Sequence, residues 1–375
     1  MKNLSVKKRI TDTLPIYFLV FVILFIITAI THIVSVFSPS FADFINVKIA
    51  SGVRFILAKL TGIFNFSLAE TLVMFLPLLL GICIFFMIKS ARKNDRNAQK
   101  SLLFILLSVL ITIYILFVFT LGTGYHAPSL DKKLSLDRSP ITATELKKTA
   151  DILNDGINSV INEVNFDESS ASVMPYSIEE LNLKLNKAYA RIGKEYDFIQ
   201  QFSSKVKPIL LSKPMTYTYI TGVYSFFSGE ANINTNYPDY LIPFTMAHEM
   251  AHQRGIARED EANFIAFLVC ISSDDCYIRY SGYTQVLEYT MTALHDASSS
   301  LYSSFVKTLD DRYKGEIKAL DSFFDHYGES IISDVSSGIN DAYQQMQGQS
   351  AGVKSYGLVV DLAVSYYKQE KSPDE

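Results

Sequence analysis

Residues that commonly carry chemistry are scarce in this chain, which has three cysteines and six histidines in 375 positions. Three thiols are too few for a zinc-finger arrangement. An excess of cationic residues is also missing, and the net charge of −4 argues against a nucleic-acid partner. Neither an internal repeat nor a glycine-rich phosphate loop is found. Charge itself disappears over residues 14–37, 71–88 and 102–121, which hold no Asp, Glu, Lys or Arg. Each run is about the 20 residues needed to cross a hydrocarbon core. Three such runs with basic flanks, all within the first 125 residues, predict three transmembrane helices and a lipid bilayer as partner. The first is too long for a cleaved signal peptide, and two more spans follow it. Pro77, inside the second, predicts a tolerated kink.

Basic residues set the expected orientation. Lys2, Lys7, Lys8 and Arg9 precede the first span, and Lys89, Arg92, Lys93, Arg96 and Lys100 fill the loop between the second and third. The positive-inside rule places both clusters in the cytoplasm. The chain from 126 to 375 is then an extracytoplasmic domain on a multi-pass membrane anchor of residues 1–125. The loop 38–70 lies outside with Lys48, Arg54 and Lys59. Its Phe44, Val47, Ile49, Val53, Ile56, Leu57 and Leu60 recur with helical period and predict a helix lying on the outer interface. His32 and Glu70 fall near the outer ends of spans, where they can reach water.

The scarce histidines are not scattered at random. His248, Glu249 and His252 form HExxH within 241–255, LIPFTMAHEMAHQRG. On a helix, positions i and i+4 share a face, so both imidazoles can grip one metal ion. Catalytic zinc sites use three protein ligands and an open position, so Zn2+ is the expected ion. Glu249 is placed to act on bound water as general base. Pro243 suits a first helical turn, and Gly255 suits the left-handed position past the helix end. A third ligand is expected in the acidic start of the next helix, at Glu259, with Glu261 as the alternative. On an ideal helix these two point about 160° apart, so both cannot serve one ion. Asn263 shares a face with Glu259 and is positioned to hydrogen-bond a ligand histidine.

HExxH followed by a helix reading Glu-x-x-x-Asn resembles the glutamate-zincin metallopeptidases. The run Glu259-x-Glu261-Ala262-Asn263-x-x-Ala266 is also similar to the third-ligand helix of ImmA/IrrE-like peptidases. The chain as a whole resembles a bacterial membrane family known as domain of unknown function 3810. The shared features are three N-terminal spans, Gly229-Glu230-x-Asn232-x-Asn234, and HExxHQxG running into Glu-x-Glu-Ala-Asn-Phe. The resemblance implies a zincin-like domain with a strand before the motif helix that pairs with an extended peptide substrate. This makes Glu230, Asn232 and Asn234 candidates for the substrate strand.

Elsewhere the domain reads as α+β, mainly α. Thr142 with Glu145 and Ser177 with Glu180 form capping boxes that open two amphipathic helices. The alternation from Tyr217 and the turn at 227–229 predict a β-hairpin before the motif. Helical signals dominate after Gly282, and residues 368–375 read as a loose tail. Cys270 and Cys276 are close in sequence and expected on the outer side of the membrane, where a disulfide is allowed. Arg279, Tyr280, Tyr283 and Tyr237 are near enough to the motif to be considered as oxyanion stabilisers, although each reads more simply as packing. His126, His295 and His326 lack a companion at ligand spacing. The expected activity is peptide-bond hydrolysis at the outer face of the cell membrane. The alternative is a non-catalytic surface protein with a structural or sensing zinc site, in which Glu249 has no task.

Overall fold

The computed structural model describes residues 14–137, 139–328 and 355–370. Helices α1 (Ile16–Phe37), α4 (Leu68–Arg92) and α5 (Arg96–Phe117) are the three apolar rods expected. A π-helical stretch, Val118–Gly122, and a turn, Thr123–His126, extend α5, giving an apolar rod from Arg96 to His126. Nearly every side chain of α4 between Leu72 and Ile88 faces outward, with Leu79 47% and Phe85 59% exposed. A helix satisfies its own backbone, so these outward apolar surfaces suit lipid rather than water. The chain is a membrane protein with three candidate spans. Asp95 caps α5 by accepting the Ala98 N–H at 3.0 Å. Lys89, Arg92, Lys93 and Arg96 crowd the exposed turn between α4 and α5. The N-terminal basic residues Lys2, Lys7, Lys8 and Arg9 lie outside the described residues.

Between the first two spans the chain is helical, as expected, over α2 (Pro39–Phe44), a π-helical stretch (Ile45–Ala50) and α3 (Ser51–Thr61). Apolar residues of this stretch point away from the protein, as a helix lying on the interface requires, and the opposite face packs on the protein. Asn46, Ala50, Arg54, Ala58 and Thr61 are buried, while Phe44, Ile49, Ile56 and Leu60 stay exposed. Arg54 is therefore not a charge of the outer loop: it is 1% exposed.

The second half is a helical domain. Its helices α6 (Ala143–Val160) and α7 (Ile178–Glu195) open at the two capping boxes, each with both reciprocal bonds formed. The motif helix α8 (Leu241–Gln253) packs on α9 (Glu259–Ile271), and α9 packs on α10 (Cys276–Ala297). Helix α10 runs along α6, and α11 (Ser299–Val306) and α12 (Asp311–Tyr327) follow it. A last helix, α13 (Ser355–Glu370), covers α9 and α10. Lys368 to Glu370 thus belong to a helix and not to a loose tail, and 371–375 lie outside the described residues.

Three short strands complete the domain: β1 (Lys207–Pro208), β2 (Gly222–Ser225) and β3 (Glu230–Ile233). The order is β1–β3–β2, with β1 parallel and β2 antiparallel to β3. The hairpin starts later than its alternation implies, because Ser212–Thr216 forms a helical turn and β2 begins at Gly222. The two-residue strand β1, which carries no alternation to read, puts β3 in the centre of the sheet. β3 then has no free edge for a substrate, which corrects the expectation for Glu230, Asn232 and Asn234.

Candidate metal centre

Helix α8 is buried on all sides except at His248. Tyr189 fixes its middle by donating its hydroxyl to the Ala247 carbonyl at 2.5 Å. The chain then reverses at Gly255, whose φ of +91° lies in the left-handed region open to glycine. The Gly255 N–H donates to His252 O at 2.9 Å and the Ile256 N–H to Ala251 O at 3.2 Å, closing the helix end. This reversal returns α9 beside α8 and brings Glu259 against both imidazoles.

The two Nε2 atoms of His248 and His252 stand 3.0 Å apart. Glu259 places Oε2 3.2 Å from His248 Nε2 and Oε1 3.6 Å from His252 Nε2. Donors each about 2.0–2.2 Å from one tetrahedral ion are about 3.3–3.6 Å apart. The three observed spacings run from about 0.3 Å short of that range to its upper end, so a small outward shift of the imidazoles would let this donor set hold a zinc-sized ion. The His252 Nδ1 lies 2.8 Å from the Ile256 carbonyl oxygen. A carbonyl can only accept, so in the neutral ring Nδ1 carries the hydrogen and Nε2 turns its lone pair to the cluster. His248 and Glu259 side chains are 12% and 28% exposed, which leaves the cluster open on their side.

Electrostatics favour positive charge here. Burial alone would lower the His252 pKa, but Glu259, Glu249 and the Ile256 carbonyl outweigh it and raise it to about 9. Burial would raise the Glu259 pKa, and the two histidines more than reverse that, holding it well below the usual carboxylate range. Glu249 differs: burial, helped by Glu259, pushes its carboxyl up against the pull of both imidazoles and the Tyr224 N–H. One Glu249 oxygen accepts that backbone N–H, while Oε2 is buried without a partner. A Cβ at Gly222 would stand 2.7 Å from Glu249 Oε1, so β2 lies directly on the carboxylate.

The remaining site residues separate clearly. Glu261 points away from the cluster, accepting the Leu130 N–H at 2.8 Å and Arg258 Nη1 at 2.7 Å. Asn263 is buried but orients neither ring: Ile256 holds the His252 Nδ1, and the His248 Nδ1 has no partner. A backbone carbonyl has taken the task expected of that amide. Glu230 forms a fully buried ion pair with Lys207 and accepts the Leu68 and Ala69 N–H groups at the start of α4. Asn232 donates to the Val223 and Glu230 carbonyls, and Asn234 donates to Thr216 and Ile220. All three side chains make contacts within the fold, and only the Asn232 Oδ1 among their atoms is buried without a partner.

Tyr280 donates to Glu316, and Arg279 reaches the Ser273 carbonyl and Cys276. The Tyr283 ring packs on Gly156 and that of Tyr237 on Phe323 and Phe324. His126 lies beside His32, whose Nδ1 is 3.0 Å from the Tyr114 hydroxyl. His295 and His326 pack on Tyr302 and Tyr327. Glu70 accepts the N–H groups of Leu210 and Leu211. Cys270 and Cys276 are free thiols.

Three contributors carry no signal readable from the sequence. They are the Ile256 carbonyl, the Tyr224 N–H and the room that Gly222 leaves, all of them backbone features. Tyr224 also stacks on the His252 ring at 6.5 Å between centroids.

Residues 46–364 match the family described as "Protein of unknown function (DUF3810)", and the chain belongs to that family. No curated protein and no solved structure matches it.

Proposed function

We propose that this family member is a membrane-anchored zinc metallopeptidase of the glutamate-zincin type, working at the outer face of the cell membrane. The observation that carries the proposal is the convergence of His248, His252 and Glu259 beside a buried carboxylate, Glu249, with an unpartnered oxygen. The three residues would hold Zn2+, which when bound lowers the pKa of a coordinated water and polarises a carbonyl. Glu249 would accept a proton from the attacking water as the water oxygen bonds to the peptide carbonyl carbon, and would pass it to the leaving amide nitrogen as the C–N bond breaks. Burial raises its proton affinity above that of an ordinary carboxylate, the direction that acid–base work calls for. A structural zinc site has no use for such a group.

The substrate strand on this reading is β2, which pairs with β3 on one side only and lies against Glu249. Val223, 43% exposed, sits on it. An extended peptide added there would run beside the metal ligands, a β-augmentation mode of binding. The basic turn between α4 and α5 supports a cytoplasmic location for that end of the spans and an outer location for the metal centre.

The test is hydrolysis of a peptide library by the full chain purified in detergent. The proposal expects cleavage that a chelator abolishes and zinc restores. Bound zinc without cleavage of any peptide would favour a sensing or structural centre instead.

A further inference from the structure

The loop from Arg254 to Arg258 joins the metal ligands, since His252 ends one side of it and Glu259 starts the other. It also supplies the Ile256 carbonyl that holds the His252 ring. Yet much of what holds the loop comes from the membrane-proximal part of the chain. Asn46 donates its side-chain amide to the Gly255 carbonyl at 3.0 Å, a buried bond spanning 209 positions. Arg54 lies flat against Gly255, where a Cβ would come within 2.5 Å of its Cζ. From the other side, the end of the third span presses on the same loop. A Cβ at Gly124 would be 2.8 Å from Gly255 O and 2.9 Å from the Ala257 Cβ. Arg258 then donates to the Tyr125 and Ala127 carbonyls at 2.9 and 2.8 Å.

The pairing of Asn46 with Arg54 is costly for a merely structural contact. The Arg54 guanidinium is 1% exposed and is held by neutral acceptors: Asn46 Oδ1 at 2.8 Å, Asn46 O at 2.7 Å and Thr120 O at 3.5 Å. Its Nε has no partner. Burying a cation against carbonyls alone is unfavourable. Asn46 sits in the π-helical stretch, a geometry frequent at functional sites.

We propose that Asn46 and Arg54 are positioning residues for the metal centre: they clamp Gly255 against the third span, and so set the Ile256 carbonyl and Glu259. The membrane-proximal helices are then part of the site and not only its anchor, and metal affinity responds to how they seat on the third span. This inference rests on the metal reading above.

The test measures zinc affinity by chelator competition, with thermal stability and the visible spectrum of the cobalt-substituted protein, on the full chain in detergent. Asn46→Ala is expected to weaken zinc binding about 10-fold, the lower end for groups that orient ligands from behind. Asn46→Asp keeps an acceptor for Arg54 but removes the donor to Gly255 O. It is expected to lose a similar factor and shift the cobalt spectrum while its Tm does not fall below the parent's. A structural role alone would move Tm and leave affinity unchanged. If both variants bind zinc within twofold of a zinc-holding parent, the inference is wrong and the metal reading stands. A parent that holds no zinc overturns both.

Discussion

Helix α4 and helix α8 are both rich in apolar residues, and they solve opposite problems. Helix α4 turns its Leu, Phe and Ile side chains outward and carries Glu70 only at its first turn. Helix α8 hides every residue but His248 in protein and carries two histidines and a glutamate in its second half. Lipid offers no partner to a polar group, so a span keeps its interior free of chemistry. A protein interior can supply partners one by one, and does so here through Glu259, the Ile256 carbonyl and the Tyr224 N–H. The difference teaches where to look in such a chain: the informative helix is the sealed one whose polar residues share a face.

The sharpest way to break this comparison is to remove the partners of α8. Glu259→Gln is expected to lower zinc affinity by orders of magnitude, because two imidazoles alone hold the ion weakly. His248→Ala and His252→Ala should behave alike. Glu261→Gln, whose carboxylate serves Leu130 and Arg258, should keep the parent's zinc, and Asn263→Ala should stay within a few-fold of it. Metal analysis of the purified chains checks all five, and zinc loss in Glu261→Gln alone would reverse the assignment.

Next in size is the joint between the two kinds of helix. Glu230 pairs with Lys207 at 1% exposure and also caps the start of α4. Glu230→Ala leaves a buried cation unpaired and should destabilise the fold by about 3–5 kcal/mol. Thermal unfolding in detergent measures this, and an unchanged Tm would contradict it.

The contrast in packing is testable directly. Phe264→Ala, at a fully buried position of α9, should destabilise by about 3–5 kcal/mol through the cavity it leaves. Leu79→Ala on the outward face of α4 should have an effect below about 1 kcal/mol in the same detergent, because no protein cavity forms. Equal losses would mean that α4 is buried against protein.

A smaller effect is expected at Glu288, whose carboxyl accepts the Tyr240 hydroxyl at 2.8 Å. Burial, with Glu316 and Asp321 nearby, raises its pKa to about 8. An acid whose folded pKa is raised is fully accommodated below its unfolded pKa of about 4.3 and loses stability as pH climbs through the folded value. The parent should therefore lose Tm between about pH 4.5 and 8. Glu288→Gln should flatten that slope, and an unchanged slope would show that the group does not titrate there.

Local chemistry was legible in the sequence and long-range chemistry was not. The capping boxes at Thr142 and Ser177, the helix stop at Gly255 and the three apolar spans depend on residues a few positions apart. Helix geometry says only that Glu259 and Glu261 cannot both serve one ion; the fold decides between them by setting Glu259 against both imidazoles. Nothing local announces that Asn46 reaches Gly255, or that Arg54 turns inward. The central place of β3 depended on Lys207 and Pro208, too short a segment to show a period. The ring-orienting role that Asn263 suggests belongs to the Ile256 carbonyl, and backbone groups are the same at every position.

Glu249→Gln is the decisive substitution for a general base on α8 beside a metal. The substitution keeps the side chain's shape and removes its proton acceptor. Zinc content and peptide hydrolysis are measured on the parent and the variant, both as full chains in detergent. Both are expected to hold about one zinc per chain, with hydrolysis in the parent and its loss by at least about 100-fold in the variant. A variant that hydrolyses peptides as fast as the parent would contradict the general-base role of Glu249.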